Sequence, residues 1–362
     1  MKDIILCNAM PIYKEAPVSQ TLLKHNIDKV VSLLMKREAS KHYLMVPKGE
    51  FQGNIPEGLT IIEEERGFGF VFENNSSLIK VLEGEKPIPS FSNRQALDEN
   101  IEIVTVEELL ELEIKTVYIG GKAKKNGAFE FERKITPRDI VNLCGTKEKF
   151  KGMFFGYPMG CFVDESKLDE AIDLTTDYVE IIDETDCMLD CLLSIANRFG
   201  QETCGRCVFG HEGVTQIQMI LSDMTLKRGK TTDIELLMDL CSEMKNQSLC
   251  EIGESVANTI TTAIECFKEE IEAHITKKSC KAGVCAKFIT YHILPDMCTG
   301  CNECEDECEE DAILGKKRFI HVIDQDECTQ CGACVEACEE KAIVKAGAVK
   351  PRCPQKPIPC KR

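Results

Sequence analysis

The sequence predicts a chain of several α+β domains rather than one core, and three observations carry that expectation. Its 362 residues exceed what one small hydrophobic core encloses. Apolar residues recur at helical spacing from about 183 to 277, after stretches that alternate at strand spacing. Twelve of the 22 cysteines crowd into residues 278–362, mostly as tight C-x-x-C groups.

Composition narrows the class. Hydrophobic residues at 43% and charged residues at 29% are ordinary for a soluble globular protein. No apolar run approaches the roughly 20 residues that span a bilayer. The opening "MKDIILCNAMPIYKEAP" is too short and too mixed for a secretory signal. A net charge of −17 argues against nucleic acid, whose phosphates demand basic patches. It suits cationic patches on partner proteins, or simply solubility. Without an export signal, the cysteines read as metal ligands rather than disulfides. The expected setting is the cytoplasm of an anaerobe, because exposed thiolates oxidise.

Taken in order, residues 1–110 form the first expected domain. Its stretch "DKVVSLLMKREASKHYLMV" reads as a helix followed by a strand. The first 65 residues hold only Gly49, Gly53 and Gly58, so no glycine-rich phosphate loop is present. Residues 111–175 follow. There "TVYIGGKAKKNGAFEFE" alternates Val117 and Ile119, then Phe129 and Phe131, as a hairpin does.

Residues 176–277 carry four amphipathic helices, the composition of a small bundle. Cys187 and Cys191 sit on the first, which is expected to end near Gly200. Val214, Ile217, Leu221 and Met224 line the second. Thr232 and Glu235 stand at capping-box spacing before Leu237, Leu240, Cys241 and Met244 of the third. Val256, Ile260, Ile264, Phe267 and Ile271 line the fourth. Cys187, Cys191, Cys241 and Cys266 read as packing residues, since cysteine is often buried as a small hydrophobe. The run "ETCGRCVFGHEG" differs. Cys204 and Cys207 set a beat of three, but Gly210 takes the next place with His211 beside it.

Residues 278–362 are the clearest. "CTGCNECEDEC" (298–308) and "CTQCGACVEAC" (328–338) share the rhythm C-x2-C-x2-C-x3-C, the pattern of a bacterial two-cluster ferredoxin. Three thiolates wrap one cubane and the fourth reaches the other. One [4Fe–4S] cluster is therefore assigned to Cys298, Cys301, Cys304 and Cys338, and the second to Cys328, Cys331, Cys334 and Cys308. Two zinc knuckles are the alternative, which this rhythm disfavours. Glu309 and Glu339 replace the proline usual after the fourth cysteine. With Glu305, Asp306, Glu307, Glu310 and Glu340 they disfavour added electrons and predict low potentials, unless they only face water or dock a basic partner. Cys280 and Cys285 of "KKSCKAGVCAKF", with Cys353 and Cys360 of the tail, make a candidate zinc site. His292 is a rival fourth ligand, and free thiols in a frayed tail are the alternative.

"ETCGRC" followed by "SLC" at Cys250, with "DETDCMLD" before and "EEIEAHI" after, resembles a known helical cluster holder. It is that of the NADH-binding flavoprotein subunit of respiratory complex I and the related diaphorase subunits of NAD-linked hydrogenases and formate dehydrogenases. In the hydrogenase branch "C-x-A-G-V-C" and a two-cluster ferredoxin follow, as here. "ITPRDIVNLCG" and "GMFFGYPMGCFV" resemble the family's ubiquitin-like β-grasp module of the soluble-ligand-binding type, its glycine-rich turn at Gly156–Gly160. "FENNSSLIKVLEGEKPIPSF" resembles the segment entering it from the flavin domain. The resemblance spans residues 60–345.

The resemblance implies a truncated Rossmann-like remnant, a β-grasp module, a four-helix cluster-binding bundle and a ferredoxin module. It implies a bundle cluster on Cys204, Cys207 and Cys250, where the family's remaining cysteine is absent at 210. His211 leads as fourth ligand; a three-iron or water-ligated cluster, or an empty structural bundle, are the alternatives. The family's acidic pair near the nicotinamide falls at Asn74 and Asn75, so binding of FMN and NAD(P) is not expected. The expected function is an electron-relay subunit without its own flavin, in which cofactors carry the chemistry. Its expected partners are flavin-containing NAD(P)-linked, hydrogenase or formate dehydrogenase subunits, and soluble ferredoxin. A divergent diaphorase with FMN, and a docking scaffold with only the ferredoxin clusters active, are the rival readings.

Overall fold

The computed structural model describes residues 2–91, 99–347 and 349–360. The chain divides into two compact units. One comprises Met1–Glu184, Ser194–Met219 and Ile234–Cys266; the other comprises Thr185–Leu193, Ile220–Asp233 and Phe267–Arg362.

The first unit opens with β1 (Lys2–Asn8), α1 (Val18–Lys36), β2 (Ala39–Pro47), β3 (Leu59–Glu64), α2 (Asn75–Leu82), β4 (Ile101–Thr105) and α3 (Val106–Leu110). The four strands form a parallel sheet of order β3-β2-β1-β4. Side chains alternate across a strand, and β1 uses both faces. Ile5 and Cys7 pack with Val30 and Leu34 of α1 and with Leu109 of α3. Leu6, between them in sequence, packs with Phe72, Leu78 and Val81. A strand covered on both faces is apolar throughout, as "IILC" is. The connection reverses direction between β1 and β4, where open α/β sheets hold ligands beyond the strand ends.

A second sheet follows, from β5 (Ile114–Gly121), β6 (Gly127–Glu132), β7 (Lys134–Ile135), α4 (Pro137–Cys144), β8 (Phe150–Phe155), β9 (Cys161–Asp164), β10 (Ile172–Asp173) and β11 (Tyr178–Asp183). Its five strands run in the order β6-β5-β11-β8-β9, while β7 pairs with β10. β11 is parallel to β5 and antiparallel to β8. The hairpin pairs Val117 with Phe129. Thr136 and Asp139 make a reciprocal capping box that starts α4, with Pro137 in the first turn. The middle strand β11 lies beyond the boundary expected at 175, so this sheet extends past it. Lys115 of β5 is buried between Glu107 of α3, 2.9 Å away, and Asp177 beside β11. Removing one partner of such a buried trio costs about 3–5 kcal/mol.

Four helices come next: α5 (Met188–Glu202), α6 (Val208–Thr225), α7 (Asp233–Gln247) and α8 (Glu251–Thr276). The expected apolar faces of α6 and α8 are buried, while Leu240 on the expected face of α7 is half-buried. Val214, Ile217, Leu221 and Met224 of α6 are at most 1% exposed, and the five apolar positions of α8 at most 8%. α5 runs two residues past Gly200. The N-terminal half of α8 is tied to the β8–β9 turn. Asn258 Nδ2 donates to Met159 O at 2.8 Å, Thr259 Oγ1 to Gly160 O at 2.9 Å, and Phe162 N to Thr262 Oγ1 at 2.9 Å. Gly160, at φ +53°, lies against the Ser255 backbone, and any side chain there would meet it.

In the second unit the C-terminal region holds β12 (Thr290–Ile293), α9 (Glu303–Asp306), β13 (Ile313–Leu314), β14 (Phe319–Ile320), β15 (Val322–Ile323), α10 (Ala333–Ala337), β16 (Ile343–Ala346) and β17 (Ile358–Pro359). β12 pairs with β16, β13 with β15, and β14 with β17. A small core of Ile293, Ile313, Ile323 and Ile343 packs with Cys304 and Cys334. The tail therefore folds back, but onto β14.

Candidate metal centres

The two cysteine runs have one backbone path used twice. Left-handed residues stand at matching places: Gly300 and Gln330, Asn302 and Gly332, Asp311 and Lys341. Such turns point successive amides inward and make an anion-binding concavity. Each run then starts a one-turn helix, α9 or α10, carrying its third cysteine. Gly300 is required for a second reason: a Cβ there would come 2.7 Å from the Phe319 amide of β14.

This path gathers the thiols in two rings. Cys298, Cys301, Cys304 and Cys338 line one cavity, and Cys308, Cys328, Cys331 and Cys334 line another of about 340 Å³. Each ring takes three thiols from one run and one from the other. Burial pushes the Cys304 thiol up to about 12, helped by the charges of Cys298, Cys301 and Cys338. Burial likewise pushes Cys334 up to about 11, helped by Cys328, Cys331 and Cys308. Thiols so gathered resist ionising unless a cation shares their charge. Cys301 and Cys331 are exposed at the rims. Acidic Glu309 and Glu310 line the second cavity, and Glu340 lines the first.

In the first unit, Cys204, Cys207 and Cys250 line one small cavity together with Thr203, Gly210 and His211. Burial pushes Cys250 up to about 12; a backbone hydrogen bond from Ile252 opposes this, and the charges of Cys204 and Cys207 add to it. Gly210 N donates to Cys207 Sγ at 3.3 Å. The imidazole of His211 is exposed, with Nδ1 2.9 Å from Thr203 Oγ1. Next to Cys250, the Glu251 carboxylate accepts from Asn74 Nδ2 at 3.0 Å. Asn74 is 2% exposed and its Oδ1 caps α2 by accepting from Ser77 N.

A further group corrects an expectation. Cys187, His274, Cys280 and Cys285 are all buried, and their ligand atoms lie within 4.8 Å of one another. Cys187 sits just before α5, His274 on the last turn of α8, and the other two in the following loop. His274 Nδ1 is 2.9 Å from Glu270 O, so it carries the proton, and Nε2 faces Cys187 Sγ at 3.2 Å. Cys187 and Cys285 sulfurs are 3.4 Å apart. Burial opposes charge on His274, yet hydrogen bonds with the sulfurs of Cys187 and Cys280 outweigh it and push it up to about 10. Hydrogen bonds from Cys187 and Cys285 hold the Cys280 thiol far below its ordinary range. Three buried thiols and an imidazole oriented by a carbonyl are a donor set that could hold a metal ion, of the composition structural zinc sites use.

Cys280 and Cys285 thus have partners other than the expected Cys353 and Cys360, and Cys187 is more than a packing residue. Cys360 N bonds to Arg318 O, and its thiol lies within charge range of Cys298. Cys353 and His292 line a separate groove, with His292 Nε2 2.8 Å from Thr290 Oγ1. Sequence reasoning missed Cys187 and His274 because 87 residues part them. The available signal was that "DETDC" and "EEIEAH" both lie in the segments that carried the resemblance.

Two stretches of the chain match known iron–sulfur families. Residues 190–274 match the NADH-ubiquinone oxidoreductase-F iron-sulfur binding region, and residues 297–343 match the 4Fe-4S dicluster domain. The chain is 31% identical over 221 residues to the NADP-reducing hydrogenase subunit HndC of Solidesulfovibrio fructosivorans, across 57% of this chain and 45% of that one. It is 27% identical over 180 residues to the F-type subunit of the NADH-quinone oxidoreductase of Streptomyces coelicolor, across 46% and 40%. The chain therefore spans less than half the length of these curated relatives. The fold resembles an NAD+-reducing [NiFe]-hydrogenase chain, with TM-score 0.65 and 17% identity, over 76% of this chain and 57% of that one. Among the described residues no helix is long and apolar enough to cross a membrane.

Proposed function

We propose that this chain is an iron–sulfur electron-transfer subunit of a larger oxidoreductase complex, passing single electrons without a flavin of its own. The observation that carries the reading is the pair of crossed thiol rings, each offering the four thiolates a [4Fe–4S] cluster needs. Clusters bound there supply reversible one-electron chemistry. The residues hold the thiolates at fixed spacing, leave Cys301 and Cys331 at the surface for access, and set the potential through nearby carboxylates.

The bundle cavity is read as a third cluster site on Cys204, Cys207 and Cys250, with His211 as the fourth ligand. Cys187, His274, Cys280 and Cys285 are read as a structural zinc site, since four buried ligands leave no open position. The sheet order of β5–β11, with α4 between its second and third long strands, supports the β-grasp assignment. The parallel sheet before it supports a Rossmann-like remnant. Two features favour loss of the flavin. Asn74 is committed to capping α2 and to Glu251. After β1, at the switch point, the chain buries Tyr13 against Phe70 and Tyr178 instead of offering a glycine-rich loop. By analogy with its relatives, the partners are flavin-bearing NAD(P)-linked and hydrogenase-type subunits in the cytoplasm, and soluble ferredoxin.

Metal, sulfide and flavin content per chain tests the reading. About twelve iron, as three four-iron clusters require, with one zinc and no flavin is expected. Flavin released by acid at one per chain would replace it with the diaphorase reading. About eight iron would leave a scaffold with only the ferredoxin clusters active.

A further inference from the structure

The bundle cavity has three thiols and a glycine where a fourth ligand would stand. A Cβ at position 210 would come 2.7 Å from Cys207 Sγ, so no side chain fits there unless that sulfur moves. Gly210 also packs beside Gly253 of α8, whose own Cβ would lie 3.5 Å from the Gly210 Cα. The fourth donor must come from elsewhere on the cavity wall. His211 is on it.

The tautomer of His211 can be read from its neighbour. Thr203 has one hydroxyl hydrogen, and its oxygen lies 3.1 Å from Gly200 O. That carbonyl belongs to the last turn of α5, where helix carbonyls lack intrahelical partners. With its hydrogen directed there, the hydroxyl oxygen accepts from His211 Nδ1 at 2.9 Å. Nδ1 then carries the proton and Nε2 keeps a free lone pair. At His274 the proton likewise sits on Nδ1, there directed at Glu270 O, and its Nε2 meets the Cys187 sulfur. Ligating histidines are characteristically oriented by such a partner on the other ring nitrogen.

We propose that Thr203 is a positioning residue that locks His211 as an Nε2 ligand, completing a three-cysteine, one-histidine cluster site with Cys204, Cys207 and Cys250. This rests on the reading that the bundle binds a cluster. A neutral imidazole in place of a thiolate leaves the site one negative charge short of the ferredoxin rings. It therefore accepts an electron more readily than they do, and serves as the sink among the three.

The test is EPR-monitored redox titration and nitrogen hyperfine spectroscopy on the full chain, wild type against Thr203→Val and Thr203→Ser. In the wild type, the third signal should couple to one imidazole nitrogen and titrate above the two ferredoxin signals. Thr203→Val should weaken that coupling and change the reduced-to-oxidised ratio at fixed potential at least tenfold, about 59 mV for a one-electron couple. Thr203→Ser should restore both, and the ferredoxin signals should not move. A third signal without nitrogen coupling overturns the ligand assignment. Wild-type coupling and potential in Thr203→Val overturn the lock. If Thr203→Val loses the cluster outright, the wild-type hyperfine spectrum and the serine variant still decide. Eight iron and two signals in the wild type bring down the bundle cluster itself, and the proposal with it.

Discussion

Two groups of cysteines in the second unit use the same chemistry in opposite ways. In the Cys187–His274–Cys280–Cys285 group every ligand is buried, and the ligands are gathered from a helix start, a helix end and a loop. In the two rings, eight cysteines come from one stretch of chain, 298–338, and one cysteine of each ring reaches the surface. The difference separates two jobs. Ligands drawn from distant places and sealed from water fasten a fold, because a metal there is bound only when the fold exists. On the proposed function, ligands supplied locally by tight turns would hold a cluster near the surface, within reach of a partner.

Breaking the closed group should have the largest effect. Cys187→Ser or His274→Ala should abolish zinc binding and cost several kcal/mol, a fall of about 10 °C or more in melting temperature. Metal analysis and calorimetry check this, and unchanged values would dissolve the contrast. Cys353→Ser and Cys360→Ser should keep the zinc. Next come the rings, where crossing makes a sharp arithmetic. Cys304→Ser and Cys338→Ser should each lose about four iron, and the double variant no more. Cys334→Ser with Cys338→Ser should lose about eight, one cluster from each ring.

A smaller effect concerns pH. In the rings, burial raises Cys304 and Cys334 to about 12 and 11, so their thiolates form with difficulty. Loading of iron and sulfide should become more favourable as pH rises from about 7 to 9, because more ligand is deprotonated. In the closed group hydrogen bonds favour a thiolate on Cys280, but hydrogen bonds with Cys187 and Cys280 hold the Cys285 thiol far above its ordinary range and His274 is pushed up to about 10. Zinc uptake, followed with a chromophoric chelator, should therefore also become more favourable as pH rises from about 7 to 9. A pH-independent uptake would count against these ligands. The smallest expected change is from Glu309→Gln or Glu339→Gln. Exposed charges are screened, so the potentials should rise by less than the 59 mV of a tenfold change; a fall would remove the acids from the account.

Legibility in the sequence followed the distance between partners. The ring cysteines were readable because turns of two residues leave their own rhythm. The helix faces of α6 and α8 were readable from spacing alone, and Val214 and Ile260 are buried as that spacing demands. The hairpin of Val117 and Phe129 was readable from alternation. By contrast, Cys187 and His274 meet only through the tertiary path of the chain, which no local pattern encodes. The place of β11 in the middle of its sheet, after a boundary expected at 175, is hidden for the same reason. His211 falls between. Its position was visible, but the hydroxyl that orients it is not evident from "ETCGRC".

The crossing of the two thiol rings also bears on ancestry. A chain severed near residue 317 would give two pieces, and neither would own a complete set of four. Discarding a whole run therefore breaks both sets at a stroke. The pair is reduced to one only by substitutions confined to a single ring.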